Sequence, residues 1–214
     1  MESRLLDMGY YPRKRHFDYF RTLCYPYVGV TALVDVTELY DFCKRGGYSF
    51  YLTFLHAAAL AANRIPEFRQ RIRGDGIVEY DACGTSHVEL LENGTFCYCT
   101  LYHDDRPFSQ YIVEAEARRA AYRAKGELEE DESVEGLYFV TTLPWLAYTA
   151  LLQPVAGGDE SNPRISWGKF FRDAEGRLQL PTTVLAHHAL VDGLQLSEFY
   201  RNVEEEIRRI PGKA

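Results

Sequence analysis

Two histidines, an aspartate and a glycine follow the apolar run Val184-Leu185-Ala186: His187, His188, Asp192 and Gly193. A buried imidazole must be hydrogen-bonded or put to use. On an extended strand, adjacent side chains point to opposite faces, so the pair offers one functional imidazole. Asp192 would then sit just past the strand, held by a turn that Gly193 permits. An ordinary imidazole, with a pKa near ~6.5, accepts a proton at neutral pH. That suits a general base taking a proton from an attacking hydroxyl, an effect worth roughly a hundred- to ten-thousand-fold in rate. His188 is the sharper candidate, and His187 is a strand neighbour with its own hydrogen bond. His16, His56, His87 and His103 read as ordinary core histidines bonded to the backbone.

The bulk of the chain narrows the setting. Its 214 residues fit a single domain spanning 1–214,. A net charge of -7 argues against a nucleic-acid surface,. The acidic run from Glu127 to Glu132 reads as a solvated loop. No apolar stretch reaches membrane-spanning length, and Met1-Glu2-Ser3-Arg4 lacks the pattern of a signal peptide. The five cysteines Cys24, Cys43, Cys83, Cys97 and Cys99 are an odd set, which points to reduced thiols and a cytoplasmic location. Cys97 and Cys99 would share a strand face. Without a Cys-x-x-Cys or a His pair at ligand spacing they predict no metal.

The elements that must position His188 follow from periodicity. Val28 to Val34 predicts a strand. Asp35 to Glu38 has capping-box spacing, before a helix running to about Lys44 and stopped by Gly46-Gly47. Ser49 opens a second helix, apolar nearly all round and therefore deeply buried, until Pro66 ends or restarts it. Ile77 to Tyr80 predicts a short strand. Val88 to Leu91 and Phe96 to Leu101 flank the hairpin signal Asn93-Gly94. Asp104-Asp105 before Pro107 marks a helix start, continued by Tyr111 to Lys125. Leu137 to Thr142 predicts a strand, broken by Leu143-Pro144-Trp145. After a loop at 157–163, Arg164 to Phe171 and Leu178 to His188 form two β runs joined by Ala174-Glu175-Gly176. The last helix carries Leu194, Phe199, Tyr200, Val203 and Ile207. Together these predict one α/β domain, a sheet covered by helices.

His187-His188-Ala189-Leu190-Val191-Asp192-Gly193 resembles the His-His-x-x-x-Asp-Gly motif of chloramphenicol acetyltransferases, which also occurs in peptide-synthetase condensation domains. Further blocks resemble that family in the same order: Arg13-Lys14-Arg15-His16-Phe17, Pro66-Glu67-Phe68-Arg69, Tyr102-His103-Asp104-Asp105, Leu143-Pro144-Trp145 and Gly168-Lys169-Phe170. The resemblance covers nearly the whole chain.

It implies a two-layer α/β sandwich with a mixed sheet, acetyl-CoA as co-substrate, no metal, and a small hydroxyl acceptor such as chloramphenicol. It also implies a homotrimer with active sites between subunits. His188 matches the general base. Thr141 matches a hydroxyl that donates to the oxyanion, where one aimed donor is worth a few kcal/mol. Asp192 and Arg13 match a buried ion pair that fixes the geometry around the base. Phe20, Phe96 and Leu151 match the acceptor pocket, and Ser166 matches a threonine that holds an ordered water near the oxyanion. Tyr51, Trp145 and Phe170 match positions beside the CoA tunnel.

The chain departs from the family pattern at Leu194-Gln195, where an aromatic and a histidine are usual. It departs also at Ser49 for a lysine, at Arg15 for a glutamate, and at Leu151 and Gln153 in the pocket. These changes leave the base and the oxyanion donor in place and reshape the acceptor pocket. The rival readings are the same transfer to another small hydroxyl compound, or a relative that binds without catalysing.

Overall fold

The computed structural model describes residues 2–126, 134–157 and 159–213. In chain order the elements are β1 Ser3–Leu5, α1 Lys14–Phe20, β2 Tyr27–Asp35, α2 Thr37–Gly46, α3 Phe50–Asn63, β3 Gln70–Arg73, β4 Gly76–Tyr80 and β5 Gly84–Leu90. They continue as β6 Phe96–Leu101, α4 Phe108–Lys125, β7 Leu137–Thr142, β8 Arg164–Trp167, β9 Phe171–Arg172, β10 Leu178–His187 and α5 Gly193–Arg209. The acidic run lies outside the described residues.

The main sheet runs in the order β2-β10-β8-β7-β5-β6, with β9 added beside β10. It is mixed. β10 pairs antiparallel with β2 and β8, while β7 pairs parallel with both β8 and β5. A small antiparallel sheet, β1-β4-β3, stands beside it.

Alternation along the strands assigns the two faces. Val34, Leu180, Val184, Ala186, Ile165, Tyr138, Val140 and Cys99 join Leu52, Phe54, Phe199 and Val203 in one core. Phe68 and Phe199 lie fully buried with parallel rings 5.7 Å apart, and truncating such a ring costs about 3–5 kcal/mol. The alternate positions Leu33, Thr183, Ser166, Phe139, Thr141, Val88, Leu90 and Phe96 point to the other face. On that face Leu33, Leu90 and Phe96 are about half exposed, so among the described residues the helices cover the other face of the sheet.

Local chemistry explains the elements. Ser49 caps α3 by accepting from the Leu52 N–H at 3.4 Å, and its alanines let α5 pack close,. Gly47 ends α2 with φ 68°, and Gly94 turns the β5–β6 hairpin with φ 81°,.

Several sequence expectations are corrected. The capping box expected at Asp35 does not form; Asp35 accepts from Thr37 N at 3.0 Å and Oγ1 at 2.6 Å, and Val36 is the N-cap. Asp104 does not begin α4, because its carboxylate turns to Arg106 and Pro107 occupies the cap. The single run expected from Arg164 to Phe171 splits into β8 and β9. Gly168 donates to the Pro181 carbonyl at 3.0 Å, but proline has no N–H to return. Gly193 does not form a left-handed turn; it is the first residue of α5 with φ outside the positive range. His16 is exposed rather than core. Finally, β1, α1 and β3 carried no periodic signal long enough to predict.

Candidate active site

β10 delivers His188 to the end of the sheet. The His188 N–H extends the ladder to β2 by donating to Pro26 O at 2.7 Å. The chain then turns tightly, with Leu190 and Val191 N–H groups both donating to His187 O at 3.0 Å. Within this turn His188 Nδ1 lies 2.9 Å from Val191 O. A carbonyl oxygen only accepts, so Nδ1 is the donor of this contact, and in the neutral ring the lone pair then falls on Nε2. The ring is half-buried and stacks on Phe20 of α1, centroids 3.8 Å apart and planes 19° from parallel. His187 diverges as expected: it is buried, its Nδ1 accepts from Ala189 N at 3.2 Å, and it meets the Tyr27 ring edge-on.

The same turn positions the ion pair. Asp192 is the N-cap of α5; its Oδ1 accepts from Leu194 N at 2.9 Å and its Oδ2 from Arg13 Nη1 at 2.6 Å. Desolvation alone would raise the Asp192 carboxyl. The Arg13 hydrogen bond, the Leu194 N–H, the Arg13 charge and His188 outweigh it and hold the carboxyl below its usual range,. The pair is partly open, with side chains 17% and 33% exposed, so solvent screens its attraction.

The remaining expected residues gather at the other end of the sheet. Register places Thr141 opposite Ser166, and Ser166 opposite Thr183. His188 lies five residues beyond Thr183. That is about 16 Å along the strand and about 10 Å across two strand spacings. Thr141 and His188 therefore do not meet within one chain.

Thr141 sits instead between two clefts. The first, about 790 Å³, is walled by Tyr51, Phe96, Trp145 and Phe170 and carries Glu89, Arg119 and Lys169. The second, about 680 Å³, is lined by Val88, Phe96, Tyr98, Phe139 and Gln153, with Glu160, Asn162 and Arg164 on one side. Gln153, rather than Leu151, faces the second cleft; Leu151 is half-buried in the segment 151–155. Ser166 is buried beneath.

Sequence reasoning missed three polar groups, two at the clefts and one beside His188. Glu89 is buried in β5 and accepts from Arg119 Nε at 2.6 Å, with His87 Nε2 3.5 Å away. Burial raises its carboxyl, but the His87 and Arg119 hydrogen bonds bring it net below the usual range. The signal was a glutamate at an inward position of an apolar strand. Gln195 was noted only as a departure, although Asp192-Gly-Leu-Gln195 has capping-box spacing. That box forms in full. Arg164 bonds Glu160 and places its guanidinium 5.3 Å from the Phe139 ring centroid.

Among the described residues no three His, Cys, Asp or Glu side chains form a metal cluster, and no helix is long and apolar enough to cross a membrane. Four cysteines are buried, and all five are free.

Known proteins share this fold. A solved chloramphenicol acetyltransferase superposes with a TM-score of 0.87 at 31% identity, covering 96% of this chain and 100% of that one. A curated chloramphenicol acetyltransferase from Klebsiella sp is 26% identical over 210 residues, covering 94% of this chain and 91% of its own length. A probable dihydrolipoamide acetyltransferase from Listeria monocytogenes shares the fold, with a TM-score of 0.68 at 16% identity, over 92% of this chain and 89% of that one. The family model described as chloramphenicol acetyltransferase matches residues 1–204. Two-layer fold, His-His motif and whole-length match agree: this chain is an acetyltransferase enzyme and belongs to the chloramphenicol acetyltransferase family.

Proposed function

We propose that the protein transfers the acetyl group of acetyl-CoA to a hydroxyl of chloramphenicol or a similar small acceptor, with His188 as general base. The observation that carries this reading is the 2.9 Å contact between His188 Nδ1 and Val191 O. With Nδ1–H held by Val191 O, Nε2 is the basic nitrogen,. It takes the acceptor hydroxyl proton as the oxygen attacks the thioester carbonyl carbon. The Thr141 hydroxyl donates to the resulting oxyanion. Collapse breaks the C–S bond, and the imidazolium returns its proton to the leaving thiolate.

The distance between Thr141 and His188 supports a site built between copies. His188, Phe20, Arg13 and Asp192 come from one subunit. Thr141, Phe96 and the clefts come from the next, in a homotrimer. The half-exposed apolar residues of the uncovered sheet face fit such an assembly,. Tyr51, Trp145 and Phe170 supply apolar walls for a pantetheine arm, and Lys169 and Arg119 supply cations for phosphate. The five free thiols suit the reducing cytoplasm,.

A second acceptor class is favoured by one feature. Glu160, Arg164 and Gln153 make one wall of the second cleft polar. A hydroxyl compound bearing hydrogen-bonding groups would match that wall better than a purely apolar one.

Release of CoA thiol from acetyl-CoA tests the reading. Fast release that depends on chloramphenicol and is lost in His188→Ala supports it. Release only with more polar hydroxyl acceptors moves the assignment to the second class. No acceptor-dependent release would refute it.

A further inference from the structure

The peptide unit joining Val191 to Asp192 is held from both sides. Its carbonyl oxygen accepts the His188 Nδ1 proton at 2.9 Å. Its N–H donates to Gln195 Oε1 at 3.0 Å. The Gln195 amide is itself oriented, because its Nε2 donates to Glu67 Oε1 at 3.3 Å. Gln195 is only 6% exposed, so these bonds work in a low-dielectric setting where hydrogen bonds in series strengthen one another. A peptide whose N–H is engaged carries a more negative carbonyl oxygen, which is a better acceptor for Nδ1–H.

The contact is more than a helix cap. Asp192 already caps α5 through its own side chain. Ser49 caps α3 with no returning side chain, and α1, α2 and α4 have no side-chain cap bond. The return arm from Gln195 falls on the one peptide that carries the acceptor for His188. Glu67, from the turn Pro66–Arg69 far away in the sequence, sets which end of the Gln195 amide faces that peptide.

We propose that Gln195 is a positioning residue for acetyl transfer. Through the Val191–Asp192 peptide plane it keeps the His188 ring in the Nδ1–H tautomer with Nε2 unprotonated, and Glu67 keeps Gln195 in the orientation that does so. This rests on His188 acting as the base. The charged groups around the plane are Arg13, Asp192 and Glu67, beside the His188 ring.

The test uses the full-length protein and two readouts. The first is the ¹⁵N shifts of the His188 ring, which report the tautomer without any turnover. The second is kcat against KM for acetyl-CoA. Gln195→Leu removes the acceptor at similar size. It should lower kcat about tenfold, the worth of one hydrogen bond, and mix the two tautomers while KM for acetyl-CoA stays put. The exchanged pair Glu67→Gln with Gln195→Glu reverses the bond between them, with the donor now at 67, and restores an acceptor at 195 for the Asp192 N–H. It should return both the tautomer and kcat.

Unchanged ring shifts in Gln195→Leu overturn the proposal, as does a loss of kcat that the exchanged pair leaves uncorrected in folded protein. If Gln195→Leu does not fold, Glu67→Ala frees the Gln195 amide and reads the same shifts. Movement toward mixed tautomers supports the proposal, and none overturns it. Turnover by His188→Ala would instead refute the base assignment, a result the ring shifts cannot produce.

Discussion

Thr141 and His188 stand at opposite ends of one sheet, about 20 Å apart by strand register within a single chain,. Each carries half of the expected chemistry. The His188 ring stacks on Phe20, and Thr141 lies between two clefts.

Mixing two inactive variants tests whether copies share the site. His188→Ala and Thr141→Ala should each lose activity alone. Unfolded and refolded together, they should regain activity in about a quarter of the sites, because random assortment joins an intact His188 to an intact Thr141 that often. No recovery in correctly assembled mixtures would place both groups in a site made by one chain.

Thr141 should tolerate serine and not alanine. Loss of one oxyanion donor costs about a hundred- to a thousand-fold in kcat, whereas serine keeps the hydroxyl. Thr141 is half-buried on the open face, so melting temperature should move little in either variant. Equal kcat for Thr141→Ala and wild type would remove it from the mechanism.

Acid should destabilise the fold through two carboxylates. Asp192 and Glu89 are both held below their ordinary values of 3.8 and 4.5 by Arg13 and by His87 with Arg119. A depressed folded pKa means that the unfolded chain binds more protons as pH falls. The stabilisation is therefore full at neutral pH and is lost as pH drops through the ordinary carboxylate range to the folded values. Urea midpoints measured across that range should fall less steeply in Asp192→Asn than in wild type. An identical slope would show that the Arg13 contact contributes nothing to folding.

Removing the Glu89 carboxylate should do more harm than its exchange for an amide. Glu89→Ala leaves Arg119 without its partner beside the Tyr51 ring, and an unpaired, partly buried charge costs several kcal/mol at most. Glu89→Gln keeps an acceptor oxygen. Chemical denaturation should rank wild type above Gln above Ala, and KM for acetyl-CoA should rise in both, since Glu89 and Arg119 line the first cleft.

Much of this was legible in the chain. The Leu137–Thr142 strand was bounded by its own apolar run and by Pro144. Ser49, Gly47 and Asn93-Gly94 announced a helix cap, a helix stop and a hairpin through local backbone chemistry. Three kinds of information were not local. β1 is three exposed residues whose only reason for being extended is its partner β4. The break after Trp167 depends on Pro181 lying opposite Gly168, a matter of register between distant segments. The pairing of Gln195 with Glu67 joins residues 128 apart in sequence. Asp192 and Arg13 were suggested by family likeness, whereas no likeness pointed to Gln195, because the family pattern differs there.

The connection from β10 to α5 is only the five residues His188 to Asp192, and hydrogen bonds pin it at Pro26, His187, Arg13 and Gln195. One added residue would advance α5 by about 100° around its axis, carrying its buried stripe off the core and His188 off Phe20. Its length is therefore as constrained as its composition. The hairpin between β9 and β10, by contrast, ends in an exposed turn at Gly176. An affinity tag or reporter peptide belongs there, where extra chain costs little more than the entropy of a longer loop.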